Sequence, residues 1–162
     1  MAEKIDLNTL PKGLTKEEFT ALPNFKKIRS FFTWAGVVSI GSGILICSEI
    51  GKTAERVFQA GGSYDDMSRL WAVNLNMLFM IFDIVMGILL LKKKTTKMAY
   101  ILAITELVYI VLVLVLGGTI GIGAIAFLLA LAGAIRIDKK WKQYQEISGG
   151  SNQLNHTGNS TA

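Results

Sequence analysis

The sequence predicts an all-α membrane protein: four transmembrane helices in an up-down-up-down bundle, with both termini cytoplasmic. Three observations carry this expectation. Apolar residues make up 51% of the 162-residue chain, and they gather in four long runs instead of one amphipathic pattern. Each run, at roughly 18–22 residues, is long enough to cross a hydrocarbon layer about 30 Å thick as a helix. The 17 Lys and Arg residues fall mainly where these runs end, as expected when basic residues stay on the cytoplasmic side.

The basic residues also set the topology. Six of the 17 precede or open the first run, four lie at Lys92, Lys93, Lys94 and Lys97, and four follow from Arg136. The first loop holds only Lys52, Arg56 and Arg69, and the second holds none. The membrane-interface set is therefore Lys26, Lys27, Arg29, the 92–97 cluster, Arg136, Lys139 and Lys140. The net charge of +5 is thus explained by topology. There is no basic stripe interleaved with aromatics to suggest nucleic acid as a partner.

Residues 1–29 form a cytoplasmic leader. Thr15 and Glu18 have the spacing of a capping box, and Leu14 and Phe19 that of a hydrophobic staple. They predict a short amphipathic helix over 16–21, ended by Pro23. Phe19 and Leu22 are suited to lie on the membrane surface, with Lys26, Lys27 and Arg29 at lipid headgroups; a solvated leader is the plainer reading.

The transmembrane domain covers 30–147, with spans at about 30–50, 70–91, 98–116 and 120–137. In the first span Ala35, Ser39, Gly43, Cys47 and Gly51 recur every four residues. Ala126, Ala130 and Ala134 repeat the theme in the fourth. Small faces let helix backbones approach closely in lipid, so these two faces are expected to pack together. Between the first two spans, residues 50–69 read as an extracellular helical hairpin. The first helix continues to about Ala60, Gly61-Gly62 stops it, and Ser63 caps the next. Gly117-Gly118-Thr119 is a tight turn. The last helix is expected to end near Ile147, with a disordered cytoplasmic tail over 148–162.

Two spans carry an acid. Asp83 lies eight residues before Leu91, and Glu106 eight after Met98, so both sit about 12 Å into the membrane from the same side. Joined by a short turn, the two helices are antiparallel neighbours, and the acids can meet. Two carboxyl groups together in low dielectric share one proton, with Asn76 and Tyr109 able to add hydrogen bonds. These four residues are the candidate proton or cation site. The plainer reading is structural, with protonated acids hydrogen-bonding across the hairpin.

Little else carries chemistry. The single cysteine, Cys47, lies within a span, and the single histidine, His156, lies in the tail. There is no metal-ligand cluster, phosphate loop or nucleophile–base pair, so neither an enzyme nor a cofactor is expected. Glu55-Arg56-Val57-Phe58-Gln59-Ala60 resembles the start of a motif in the MAPEG family, four-helix membrane proteins of glutathione and eicosanoid metabolism. Ser63, Asp66 and Arg69 then replace the motif's Asn, Glu and Pro, and its later Arg-x-x-Tyr is missing. The chain is also similar to the small multidrug-resistance transporters in span count and in having a buried Glu, but their Glu is in the first helix. Neither resemblance carries a function over. The expectation is a small multi-pass protein of the plasma or inner membrane. It would act as an accessory, regulatory or immunity-like subunit whose partners are the bilayer and another membrane protein or a second copy. The alternative is an oligomeric channel, a holin-like pore or a proton- or cation-coupled transporter built on Asp83 and Glu106.

Overall fold

A computed structural model describes residues 7–115 and 121–157 of the chain. The predicted 117–119 turn and residues 158–162 lie outside them. Every regular element described is helical. The α-helices are α1 (Lys16–Ala21), α2 (Lys26–Gln59), α3 (Tyr64–Ser68), α4 (Trp71–Lys93), α5 (Thr96–Val115) and α6 (Gly123–Thr157). Three helical stretches are long and apolar enough to cross a membrane: Pro23–Gln59, Trp71–Lys93 and Thr96–Val115. In α6 the charges Arg136, Asp138, Lys139 and Lys140 begin soon after the helix starts.

The helix ends follow local chemistry. Thr15 and Glu18 form the predicted capping box: the Thr15 hydroxyl accepts the Glu18 N–H at 3.3 Å, and the Glu18 carboxylate accepts the Thr15 N–H at 2.9 Å. The hydrogen bonds from the Thr15 backbone and side chain hold the Glu18 carboxyl below its ordinary range. α2 is a single helix of 34 residues, about 51 Å long. It stops where Gly61 takes φ +79°, and Ser63 caps α3 in a second box with Asp66. α6 continues past Ile147 to Thr157, beyond the predicted start of the tail. No proline interrupts it, and each residue added to an existing helix contributes one more hydrogen bond.

The four long helices pack together, α2 most extensively against α4, and α6 against both α5 and α2. The α2–α4 contact is a meeting of backbones. A methyl group at Gly36 would lie 2.8 Å from the Gly87 carbonyl oxygen, and one at Gly87 would lie 2.7 Å from that of Gly36. At Gly43 a methyl would lie 2.7 Å from the Ile84 side chain and 3.0 Å from the Met80 carbonyl oxygen. The expected small stripe is therefore divided. Ala35 joins Ala130, Ala134, Phe32, Leu90, Leu102 and Ile137 in the main core. Ser39 and Gly43 face α4, Cys47 is exposed, and a methyl at Gly51 would meet open space. The reason is geometric. An every-fourth repeat drifts about 40° per step around a helix of 3.6 residues per turn. Gly51 thus ends up on the far side of α2 from Ala35. Gly36 and Gly43, seven apart, drift only about 20° and share the α4 face.

A second core joins the leader to α6. Phe19 is fully buried, its ring centroid 4.5 Å from that of Phe25 and 5.2 Å from those of Trp141 and Tyr144. The Tyr144 hydroxyl accepts the Leu14 N–H at 3.0 Å and donates to the Pro11 carbonyl at 2.8 Å. Asp138 on α6 accepts from the Tyr100 hydroxyl at 2.8 Å. Its other oxygen lies 2.7 Å from Lys16 Nζ, an ion pair without hydrogen-bond alignment. Phe19 therefore rests neither on a lipid surface nor in water, as the sequence suggested. Aromatic side chains on α6, outside its apolar run, give it a closer partner.

The close contact makes a paired prediction. Gly87→Ala forces a methyl against backbone, and overpacking of that kind costs about 1–3 kcal/mol. Gly51→Ala fills open space in a helix and should stabilise by up to about 1 kcal/mol. Denaturation of the two variants in detergent should show opposite signs. Equal responses would mean that α2 and α4 are not in contact at Gly87.

Candidate functional site

Asp83 on α4 and Glu106 on α5 are each only 1% exposed. Helical spacing puts Asp83 on the buried face with Phe79, Met86, Gly87 and Leu90, and Glu106 on the face with Ala99, Leu102 and Ala103. Their carboxyl groups lie within hydrogen-bonding reach of each other. The matched depth read from the sequence thus corresponds to a real juxtaposition.

α2 closes the site from a third side. The Ser39 hydroxyl donates to the Asp83 backbone carbonyl at 2.9 Å, and the Ser42 side chain lies beside the Asp83 carboxyl. Both serines are buried. The glycine contact makes this reach possible, because a serine side chain is short and only a close backbone approach lets it bridge two helices. A fourth wall comes from α6. The Glu106 carboxylate is pressed against Gly123, where a methyl would come within 2.5 Å of Oε2. Gly123 is the first residue of α6, so the carboxylate sits beside the positive end of a long helix dipole.

The polar atoms of the site are not all satisfied. Asp83 Oδ2 and both Glu106 oxygens receive no hydrogen bond, and among the described residues neither acid makes an ion pair. Two ionised carboxylates only accept, so neither can serve the other. One proton between them makes one a donor to the other and supplies one of the missing bonds.

Asn76 and Tyr109 make a hydrogen bond to each other. The Tyr109 hydroxyl donates to Asn76 Oδ1 at 3.3 Å, and its ring packs tilted against Phe79, centroids 4.5 Å apart. They pair with each other across α4 and α5, above the acids. On the other side of the acids, toward the 92–97 turn, Met86, Leu90, Ala99, Leu102 and Phe32 close an apolar core. Among the basic residues named from sequence, Lys26, Lys27, Lys92, Lys93, Lys97 and Lys139 are exposed and Arg29, Lys94 and Lys140 are partly buried, while the Arg136 guanidinium lies 4.5 Å over the Phe31 ring. Ala126, Ala130 and Ala134 are fully buried.

Sequence reasoning missed Ser42 and Gly123. Ser42 had a signal, since it stands three residues after Ser39 on the same helix face. Gly123 had none, because its place beside Glu106 depends on how α6 enters the bundle. The described residues contain no cluster of three or more potential metal ligands. Together the fold and site define an all-helical protein with three helices apolar enough to cross a membrane and a buried carboxyl pair among them. Comparison of the chain with family models, curated proteins and solved structures finds no match.

The contacts separate two kinds of substitution. Asp83→Asn keeps the shape and offers a donor to Glu106, so folding should change by less than about 1 kcal/mol. Asp83→Leu leaves Glu106 buried without a partner and should cost about 1–3 kcal/mol. Gly123→Ala should fall in the second group, because its methyl displaces the Glu106 carboxylate. Melting of the three variants in detergent checks the order. Tolerance of Asp83→Leu equal to that of Asp83→Asn would show that the carboxyl contact contributes nothing.

Proposed function

We propose that this chain is a multi-pass protein of the cell membrane, a non-catalytic accessory or interaction subunit whose four long helices cross the bilayer up-down-up-down. Both termini are then cytoplasmic. The 92–97 turn and the basic end of α6 lie on that same side. The leader's contacts with α6 and the concentration of Lys and Arg at one end support this orientation. The apolar run that opens α6 supplies the fourth crossing.

The observation that carries the non-transport reading is the closed apolar core between the acid pair and the cytoplasmic end. Met86 and Leu90 on α4, Ala99 and Leu102 on α5 and Phe32 on α2 pack there. A polar step that ends on packed hydrocarbon gives a proton or cation no onward path through one copy. The acid pair then acts as a protonated joint between helices, held by Ser42 and by the start of α6. A second reading, proton- or cation-coupled transport, draws support from the unfilled acceptor oxygens of Asp83 and Glu106, since intramembrane acids commonly serve ion movement.

Two measurements test this. In a Cys47→Ser background, a cysteine at position 63 should react with an impermeant reagent from outside, while one at position 94 should be protected; the reverse pattern would invert the topology. In liposomes bearing a pH gradient, the purified protein should collapse the gradient no faster than the Asp83→Asn/Glu106→Gln variant. A flux that the double variant abolishes would replace the accessory reading with transport.

A further inference from the structure

The leader and the α4–α5 turn together border a half-open cavity of about 580 Å³. Lys16 and Arg29 line it from the leader side, and Lys93, Lys94 and Lys97 from the turn, with Glu17 the only acid in its walls. Five cations against one acid leave a net charge of +4. Lys16 is already paired with Asp138, which leaves as cations able to meet a ligand the three turn lysines and Arg29, whose Nη2 also donates to the Leu22 carbonyl at 3.3 Å. The Thr20, Thr95 and Thr96 side chains complete the lining with hydroxyl groups. α5 begins in this wall at Thr96, so the positive end of its dipole adds to the field. The volume is in the range of small-ligand sites.

A positive-inside bias explains why lysines occur here, but lysines that only set topology can extend into water. It does not explain why they line a half-open cavity walled on its other side by the docked leader. Nor does it explain Lys94. That residue caps α4 at φ +47°, in the left-handed region, and among the described residues it is the only non-glycine there. Glycine or asparagine usually holds that position because a Cβ is strained in it. Here a strained lysine closes the turn, its side chain on the wall of the cavity.

We propose that this cavity binds a phosphate group, carried by an anionic lipid headgroup or by a soluble phosphate compound. The chemistry fits a phosphate better than a carboxylate. Arg29 provides planar N–H donors, the lysines provide compact charges, and Thr95 and Thr96 provide neutral hydroxyl donors, the Thr20 hydroxyl being given to the Lys16 carbonyl at 2.7 Å, so one tetrahedral anion can be met from several sides. The site is independent of the acid pair and of whether the protein transports anything.

Lys94→Gly separates binding from folding, because glycine relieves the left-handed strain while removing the charge. The full-length protein in a neutral detergent, without phosphate buffer, is titrated calorimetrically with short-chain phosphatidic acid, short-chain phosphatidylcholine and inorganic phosphate. Saturable binding of phosphatidic acid at one site is expected, weakened about tenfold or more in Lys94→Gly and Lys97→Gln. Both variants should melt no lower than the parent. Phosphatidic acid bound without inorganic phosphate identifies a lipid headgroup. Inorganic phosphate bound as tightly identifies a soluble source. Absent binding, equal binding of phosphatidylcholine, or variants that bind like the parent would each overturn the proposal.

Discussion

The backbone contact between Gly36 and Gly87 is the constraint on which the bundle depends. Within a membrane, apolar side chains gain little by leaving lipid for one another, so helices associate through close packing and hydrogen bonds. With no side chain between them, α2 and α4 come close enough for Ser39 and Ser42 to reach Asp83. That reach fixes where Asp83 points. The Asp83 carboxyl in turn meets Glu106, which ties in α5, and Glu106 rests on Gly123, which sets the entry of α6. One small-residue contact thus places a polar joint among four helices.

The joint also accounts for the division of the interior. α4 and α5 are consecutive, yet each packs more extensively on another helix, α4 on α2 and α5 on α6. The acid pair and the Asn76–Tyr109 hydrogen bond are polar links across that thinner seam. Toward the 92–97 turn the seam is closed by alanine, leucine and methionine side chains. Two buried carboxyl groups cost less when they share a proton than when either stands alone.

The helix plan was legible in the sequence, because apolar run length, Gly61-Gly62 and the Thr15–Glu18 and Ser63–Asp66 spacings are local signals. The meeting of Asp83 and Glu106 was legible too, since a short turn between antiparallel helices converts equal distance from the turn into equal depth. What failed depended on rotation or on distant partners. The every-fourth small stripe overlooked the 40° drift and so misassigned Cys47 and Gly51, while the seven-spaced Gly36 and Gly43 carried the true face. The hydrogen bond that joins Asn76 to Tyr109 between the same two helices was not foreseen either, because a shared face does not say which polar groups on it pair. Phe19 was read from its own amphipathic helix, and its burial depends on Trp141 and Tyr144 more than 100 residues later.

The central claim is that Ser42, Asp83 and Glu106 act as one unit across three helices. A double-mutant cycle of Ser42→Ala with Glu106→Gln, read by denaturation in detergent, measures this directly, because Asp83 has both as neighbours. A shared unit predicts a coupling energy of about 0.5–3 kcal/mol. Effects that add to within about 0.3–0.5 kcal/mol would contradict it and leave the two contacts as independent neighbours of Asp83.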